Sequence, residues 1–396
     1  PPLISSSRFD GMGDEMDGIP VFLIGSGGYG KEYLDVLLGG KNPPWTLAGL
    51  ASPDARASPH YETLRERGIP VYGEAADFWK ERGNTGGGIL TVVSSPIHTH
   101  YAYTMEALER GSAVLCEKPV CGDGGQMDRL AQKERETGLF VAAGYQRCFY
   151  RDLLAFKKDI MAGLFGEPRR FRLLNMPRRG QRYYARNSWA GKISFGGTRI
   201  LDSPLQNACG HEIQLMLFLL GDAVDTAAGV DSLEARLWKV RREIENFDTA
   251  AIRVQTSGGA ALYFYTAHGV AASTGPMGEF YFEKARAVYG KDERITVFFN
   301  DGGVKDYNDI DRSEVPSQKL FDCIEALAGA SRPVCTLKTA RPHLDCVLRA
   351  QEFPVVPVQA GKLRYFRENE DEFLYAEGLE EAFLRAYNDF TLPEFS

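Results

Sequence analysis

Residues 21–30 read V-F-L-I-G-S-G-G-Y-G. Four successive apolar residues suit a strand buried in a parallel sheet. The glycines at 25, 27 and 30 fit G-x-G-x-x-G. In that pattern the first glycine makes a tight turn, the second lets backbone approach a pyrophosphate, and the third lets the next helix pack closely on the strand. A helix follows at K-E-Y-L-D-V-L-L, ending at Gly39-Gly40. Its N-terminus would offer unpaired N–H groups and partial positive charge to phosphates. Gly25, Ser26, Gly27, Gly28, Tyr29 and Gly30 are therefore candidate dinucleotide contacts. With 42 glycines in the chain the pattern needs its surroundings.

Those surroundings repeat the same unit. Strands are expected at W-T-L-A-G-L-A-S (45–52), Val71-Tyr72, G-G-G-I-L-T-V-V-S-S-P (86–96), S-A-V-L-C (112–116) and L-F-V-A-A-G-Y (139–145), with helices between them. Such alternation predicts an α/β fold with a doubly wound parallel sheet, a Rossmann domain over 19–145. In such a domain an acidic residue about 20 positions beyond the glycines holds the ribose hydroxyls. Here that position is Ser52, followed by Pro53 and Asp54. Either Asp54 reaches the ribose, or Ser52 with Arg56 tolerates a 2′-phosphate, or Pro53-Asp54 is only a turn. The cofactor is read as NAD or NADP, with NAD favoured.

After residue 150 the pattern changes. A helix at 153–162 precedes R-R-F-R-L-L-N-M (169–176), and alternating strands follow at 250–256, 261–267 and 279–283. This predicts a C-terminal α+β domain over 146–352 with a large, mostly antiparallel, open-faced sheet. Helices are expected at 211–220, 316–330 and 338–352. The segment F-L-Y-A-E-G-L-E-E-A-F-L-R-A-Y (373–387) has helical amphipathicity, so 353–396 is expected to be a helical extension lying on the first domain or over the substrate.

At 396 residues, 44% hydrophobic and 25% charged, the chain has the composition of a soluble globular protein with two domains. A net charge of −7 argues against nucleic acid as a partner. No apolar run approaches the ~20 residues of a membrane span. Residues 1–18 lack a signal peptide's basic and apolar regions and read as a flexible tail. The seven cysteines form no C-x-x-C, and reduced cytoplasmic thiols are the simplest reading. No metal site is expected.

Glu117-Lys118-Pro119 follows the fifth strand, at the carboxyl edge where doubly wound sheets bind ligands. The proline restricts Lys118 to extended geometry. The run S-S-P-I-H-T-H-Y-A-Y-T-M-E-A-L-E-R-G-S-A-V-L-C-E-K-P-V (94–120) resembles the signature of the glucose–fructose oxidoreductase, inositol dehydrogenase and MocA family (Gfo/Idh/MocA), with Pro96, His100, Glu117, Lys118 and Pro119 matching. The likeness continues through A-A-G-Y-Q-R (142–147), G-L-F-G-E-P-R (163–169) and G-G-T-R-I-L-D-S-P-L-Q-N-A-C-G-H-E-I-Q-L-M-L-F-L-L-G (196–221). It fades after about residue 352.

The resemblance implies an NAD(P)-dependent oxidoreductase acting on a secondary hydroxyl of a sugar, polyol or glycoside. It implies cofactor contacts at Ser95, Pro96, His100, Glu117 and Lys118. Lys118 and His211 would handle the proton, a histidine's ordinary pKa of about 6.5 suiting a general base. The family's D-x-x-x-H reads here Asn207-x-x-x-His211, and a common aspartate three residues later is Gln214. Asparagine orients a hydroxyl but takes no proton. Asp202 is the nearest replacement carboxylate, or else a helix cap or turn. The substrate set is Lys118, Arg147, Tyr184, Arg186, Trp189, Asn207 and His211. The segment R-R-G-Q-R-Y-Y-A-R-N-S-W-A-G-K (178–192) suits a sugar by its rings and a hydroxyl, uronate or phosphate by its charges, or else is a solvated loop. Relatives also include glycosidases and epimerases with transient oxidation and retained cofactor, and non-catalytic dinucleotide-binding sensors, so both stay open. An open sheet suggests a homodimer or homotetramer.

Overall fold

The computed structural model describes residues 18–39, 43–308, 315–329 and 331–395. Most of the expected N-terminal tail, Gly40 and residue 330 lie outside them. The chain divides into two compact units, one combining residues up to 120 with 129–144 and 313–333, the other holding 121–128, 145–312 and 334–396.

In the first unit β1 (Ile19–Ile24), α1 (Tyr29–Leu37), β2 (Trp45–Ala51), α2 (Tyr61–Glu66), β3 (Val71–Tyr72), α3 (Ala75–Arg82), β4 (Leu90–Val93), α4 (His100–Glu109), β5 (Ala113–Cys116), α5 (Gly124–Thr137) and β6 (Val141–Ala143) follow in order. The sheet runs β3-β2-β1-β4-β5-β6, and all its pairings are parallel. The strand order reverses between β1 and β4, the switch point where such sheets bind ligands. Every side chain of β4 and β5 is buried, which explains their unbroken apolar sequence.

The second unit contains α6 (Arg151–Met161), β7 (Pro168–Met176), α7 (Gln181–Ala185), the short pair β8 (Ser194–Phe195) and β9 (Thr198–Arg199), α8 (Gly210–Leu219), β10 (Val230–Lys239), β11 (Thr249–Thr256), β12 (Ala261–Ala267), β13 (Thr274–Phe282), β14 (Ala285–Tyr289), β15 (Ile295–Phe299) and β16 (Val304–Tyr307). Then come α9 (Val315–Leu327), α10 (Leu337–Ala350), β17 (Val355–Pro357), β18 (Leu363–Glu368), β19 (Asp371–Ala376) and α11 (Leu379–Asp389). The large sheet has the order β16-β15-β14-β13-β7-β12-β11-β10-β17. Its pairings are antiparallel except β7 with β12 and β10 with β17.

Three expectations change. The helix expected near 316–330 forms as α9 but returns to the first unit, where Leu320, Cys323 and Ile324 join the core of β1, β4 and β5. The helix expected over 373–387 begins only at Leu379. Residues 371–376 pair instead with β18, and Gly378 at φ 79° makes the left-handed turn into α11. The extension is therefore strands plus a helix, and it stays within the second unit. Leu379, Phe383 and Tyr387 of α11 pack on Leu174, Met176, Ala251 and Tyr265. Along β7 the alternate residues Phe171 and Leu173 serve the opposite face, Phe171 against Phe280 at 4.6 Å. Arg172 donates to the carbonyls of Tyr387 and Asn388 at 2.6 and 2.8 Å, capping the helix where its dipole is negative. The expected open face is thus covered over β7, β11 and β12.

Candidate functional site

In the first unit the glycines divide by what surrounds them. Gly25 has φ 97° and lies against Ser94, whose carbonyl oxygen would be 2.6 Å from an added Cβ. At Gly30 an added Cβ would fall 2.2 Å from the Gly25 oxygen. Gly27 and Gly28 differ: an added Cβ meets nothing within 4 Å. The outer two glycines are required by close packing, and the inner two leave open space above exposed backbone. That space lies at the start of α1, where a helix N-terminus could hold an anion such as a pyrophosphate. Ser26 and Ser52 are both buried, and the Ser26 hydroxyl donates to Ser52 Oγ at 2.9 Å. Asp54 is exposed at the turn that follows. Ser52 is thus tied to the glycine loop, and Asp54 is an exposed carboxylate in the turn after β2.

The loop after β4 is fixed by His100. One ring nitrogen lies 2.7 Å from the Pro119 carbonyl oxygen and the other 2.7 Å from that of Ser95. Burial lowers the imidazole pKa, and a neutral ring donates to only one of the two. His100 therefore links the Ser95-Pro96 loop to the Glu117-Lys118-Pro119 loop rather than offering a nitrogen to a ligand. Ser95 Oγ is engaged with Thr99 at 2.7 Å.

Glu117 points into the core. Its Oε1 accepts from Tyr33 at 2.7 Å and from the buried ammonium of Lys319. Burial and the Glu117 charge push the Tyr33 hydroxyl well above its usual pKa. The same ammonium stands 4.0 Å over the Tyr29 ring. Lys319, on α9, thus joins the glycine loop to the Glu-Lys-Pro loop, and Glu117 acts as an anchor for its neighbour Lys118, which is half-buried. Nothing near the motifs in sequence marks Lys319.

In the second unit His211 occupies the first turn of α8, half-buried, its ring 5.9 Å from that of Tyr145. The Tyr145 hydroxyl is 2.8 Å from His343 Nδ1, and the other nitrogen of His343 is 2.9 Å from the Leu205 carbonyl oxygen. His343, in the middle of α10, had no sequence signal. Asn207 lies on a π-helical turn, Pro204–Ala208, ahead of α8. Its amide donates to Asp202 Oδ1 at 2.8 Å, and Asp202 Oδ2 accepts from the Gly191 N–H at 2.6 Å. Asp202 is buried and also 3.6 Å from Arg186. The structure brings Asp202, Asn207 and Arg186 together.

Arg147 is placed elsewhere. It is buried between Glu212, at 3.1 Å, and Glu293, at 2.5 Å, two carboxylates that neutralise it. Gln214 is fully buried and donates to the Thr339 carbonyl at 2.9 Å, which ties α8 to α10. In the basic segment the Arg186 guanidinium lies 3.8 Å from the Tyr183 ring and 5.1 Å from that of Trp189. The Tyr184 hydroxyl lies 2.7 Å from Nδ1 of His268. An open groove of about 730 Å3, lined by Trp238, Val356, Arg385 and Phe395 among others, contains none of these residues.

Comparison with known proteins fits the first unit. Residues 19–145 match the sequence model GFO_IDH_MocA, described as an oxidoreductase family with an NAD-binding Rossmann fold. Residues 19–145 thus resemble the NAD-binding domain of the Gfo/Idh/MocA family. Inositol 2-dehydrogenase 1 of Saccharopolyspora erythraea is 32% identical over 158 residues, covering 38% of this chain and 43% of that protein. The rhizopine catabolism protein MocA of Rhizobium meliloti is 30% identical over 145 residues, 36% of this chain and 43% of MocA. The chain thus spans about half the length, or less, of these relatives. The fold likeness extends further. The solved structure of an inositol dehydrogenase homolog with NAD+ from Azotobacter vinelandii superposes with a TM-score of 0.70 at 17% identity, over 85% of this chain and 96% of that one. The shared fold, a parallel Rossmann sheet followed by a large mostly antiparallel sheet, thus extends beyond residues 19–145.

Proposed function

We propose that this chain is an NAD(P)-dependent oxidoreductase that transfers hydride between the nicotinamide and a secondary hydroxyl of a sugar or polyol. The observation that carries it is the open backbone at Gly27 and Gly28 at the sheet's switch point, in a domain whose relatives are named inositol dehydrogenases. Gly25 to Gly30 would hold the pyrophosphate. Asp54 would take the ribose hydroxyls, favouring NAD over NADP, since its charge repels a 2′-phosphate. When bound, the nicotinamide supplies the hydride acceptor or donor.

The chain's own residues do the rest. Lys118, extended by the proline after it and anchored through Glu117, holds the substrate hydroxyl and stabilises the alkoxide as its proton leaves. His211 takes that proton. Asn207, fixed by Asp202, donates to a neighbouring hydroxyl. Asp202 acts through Asn207, because its own oxygens are taken by Gly191 and Asn207. Self-association through the large sheet would use the strands that α11 leaves uncovered, where Phe298 and Val304 are exposed; light scattering reads the assembly.

The test is reduction of NAD and NADP in the presence of a carbohydrate panel. Lys118→Ala and His211→Ala should each lower kcat on the order of 10²–10⁴-fold with nucleotide affinity retained. Nucleotide binding without turnover of any sugar would replace this reading with that of a sensor.

A further inference from the structure

Four arginines lie within nine residues at 178–186. Three have carboxylate partners: Arg178 with Glu368, Arg182 with Glu370, and Arg186 with Asp202. Arg179 differs. Among the described residues no carboxylate lies within ion-pair distance of it, and its Nε is buried without a hydrogen-bond partner. The residue is half-buried, its guanidinium 4.8 Å from the Tyr183 ring centre. Its backbone N–H donates to the His268 carbonyl at 3.2 Å. A half-buried guanidinium with an unsatisfied donor is costly unless something else meets it.

His268 supplies a second unsatisfied group. It is 3% exposed, and among the described residues its Nε2 has no hydrogen-bond partner. Its ring packs edge-on to Tyr183 at 5.2 Å. Burial first, then the charges of Arg179, Arg186 and Arg241, hold its pKa well below the usual value, so the ring is neutral. Burial and the Asp248 charge keep the Tyr184 hydroxyl protonated. When it donates to Nδ1, the ring proton resides on Nε2, which is then a donor.

This pair borders the substrate residues already assigned. Asn207 contacts Asp202, Asp202 contacts Arg186, and Arg186 and Arg179 share the Tyr183 ring. We infer that Arg179 with His268 forms a carboxylate-binding subsite, so that the substrate is an acidic sugar or sugar acid rather than a neutral polyol. The inference rests on the proposed reading of Asn207 and His211 as substrate contacts. One uncompensated guanidinium matches one negative charge, and its planar fork suits a carboxylate. A phosphate dianion would call for a second uncompensated cation, but Arg186 is committed to Asp202.

The experiment uses the full chain with NAD. D-glucuronate, D-galacturonate and D-gluconate are each compared with D-glucose, D-galactose and D-glucitol, with glucose 6-phosphate as a separate arm. Binding is followed by calorimetry and turnover by absorbance. The acids should bind and turn over in preference to their neutral counterparts. Arg179→Gln should raise KM for the acid on the order of 10–100-fold with kcat little changed. Arg179→Lys should restore part of that loss, while NAD affinity and melting temperature stay at wild-type values. Arg179-dependent binding of an acid without turnover would support the subsite while removing the oxidoreductase reading. Neutral sugars used as well as acids, glucose 6-phosphate bound in place of the carboxylates, no acid bound at all, or an Arg179→Gln variant indistinguishable from wild type would each overturn the proposal.

Discussion

Lys319 in the first unit and Arg179 in the second are both cations drawn away from water, and the chain treats them in opposite ways. Lys319 is fully buried and answered at once by Glu117, with Tyr33 on the same carboxylate oxygen and the Tyr29 ring beneath the ammonium. Arg179 is only half-buried, yet no carboxylate answers it among the described residues, and the histidine beside it is also unsatisfied. A charge closed off inside the protein is scaffold: it holds the glycine loop and the Glu-Lys-Pro loop in register. A charge left uncompensated at a partly open position is available to a ligand. The contrast follows the comparisons, since the family match covers 19–145 and not the segment that holds Arg179.

Breaking the closed pair should have the largest effect. Lys319→Met leaves Glu117 buried without its cation and should cost about 3–5 kcal/mol in urea unfolding. Lys319→Met combined with Glu117→Gln removes both charges and should recover most of that loss. A double variant no more stable than the single one would show that the pair is not the anchor described here. The glycines give a smaller, sharper contrast. Gly27→Ala adds a methyl into open space, so melting should be unchanged while NAD affinity falls on the order of tenfold. Gly30→Ala, whose Cβ would meet the Gly25 oxygen, should lose stability as well.

An effect visible only against pH concerns Asp248, beneath the Tyr184–His268 pair. Burial raises its pKa to about 6, against the backbone N–H groups of Val240 and Arg241 that it accepts from. The folded state then holds this proton more tightly than the unfolded chain, so the contribution to stability is present at low pH and is lost as pH rises from about 4 through about 6. The stability of wild type relative to Asp248→Asn should therefore fall across that window by about 3 kcal/mol, at about 1.4 kcal/mol for each of two pKa units, and stay level above it. A difference that rises with pH would show the carboxylate to be stabilised when charged.

Much of this was legible in the chain. Gly25, Gly27 and Gly30 gave the switch-point loop, since buried parallel strands are written as continuous apolar runs. The strands at 250–256 and 261–267 were read from their alternation and pair as β11 and β12. The segment 373–387 misled because F-L-Y-A fits a helix and a strand equally well, and the choice came from pairing with β18. Glu117 and Arg147 read as ligand contacts from their motifs, but each is neutralised by residues far away in sequence, Lys319 for one, Glu212 and Glu293 for the other.

The sequence by itself determined the two sheets and the glycine loop, because periodicity and turn chemistry act between near neighbours. Only the tertiary structure decided which charges are closed and which are left open. That depends on partners tens or hundreds of residues apart, and burial makes each missing partner costly: Lys319 found Glu117, and among the described residues Arg179 found no carboxylate.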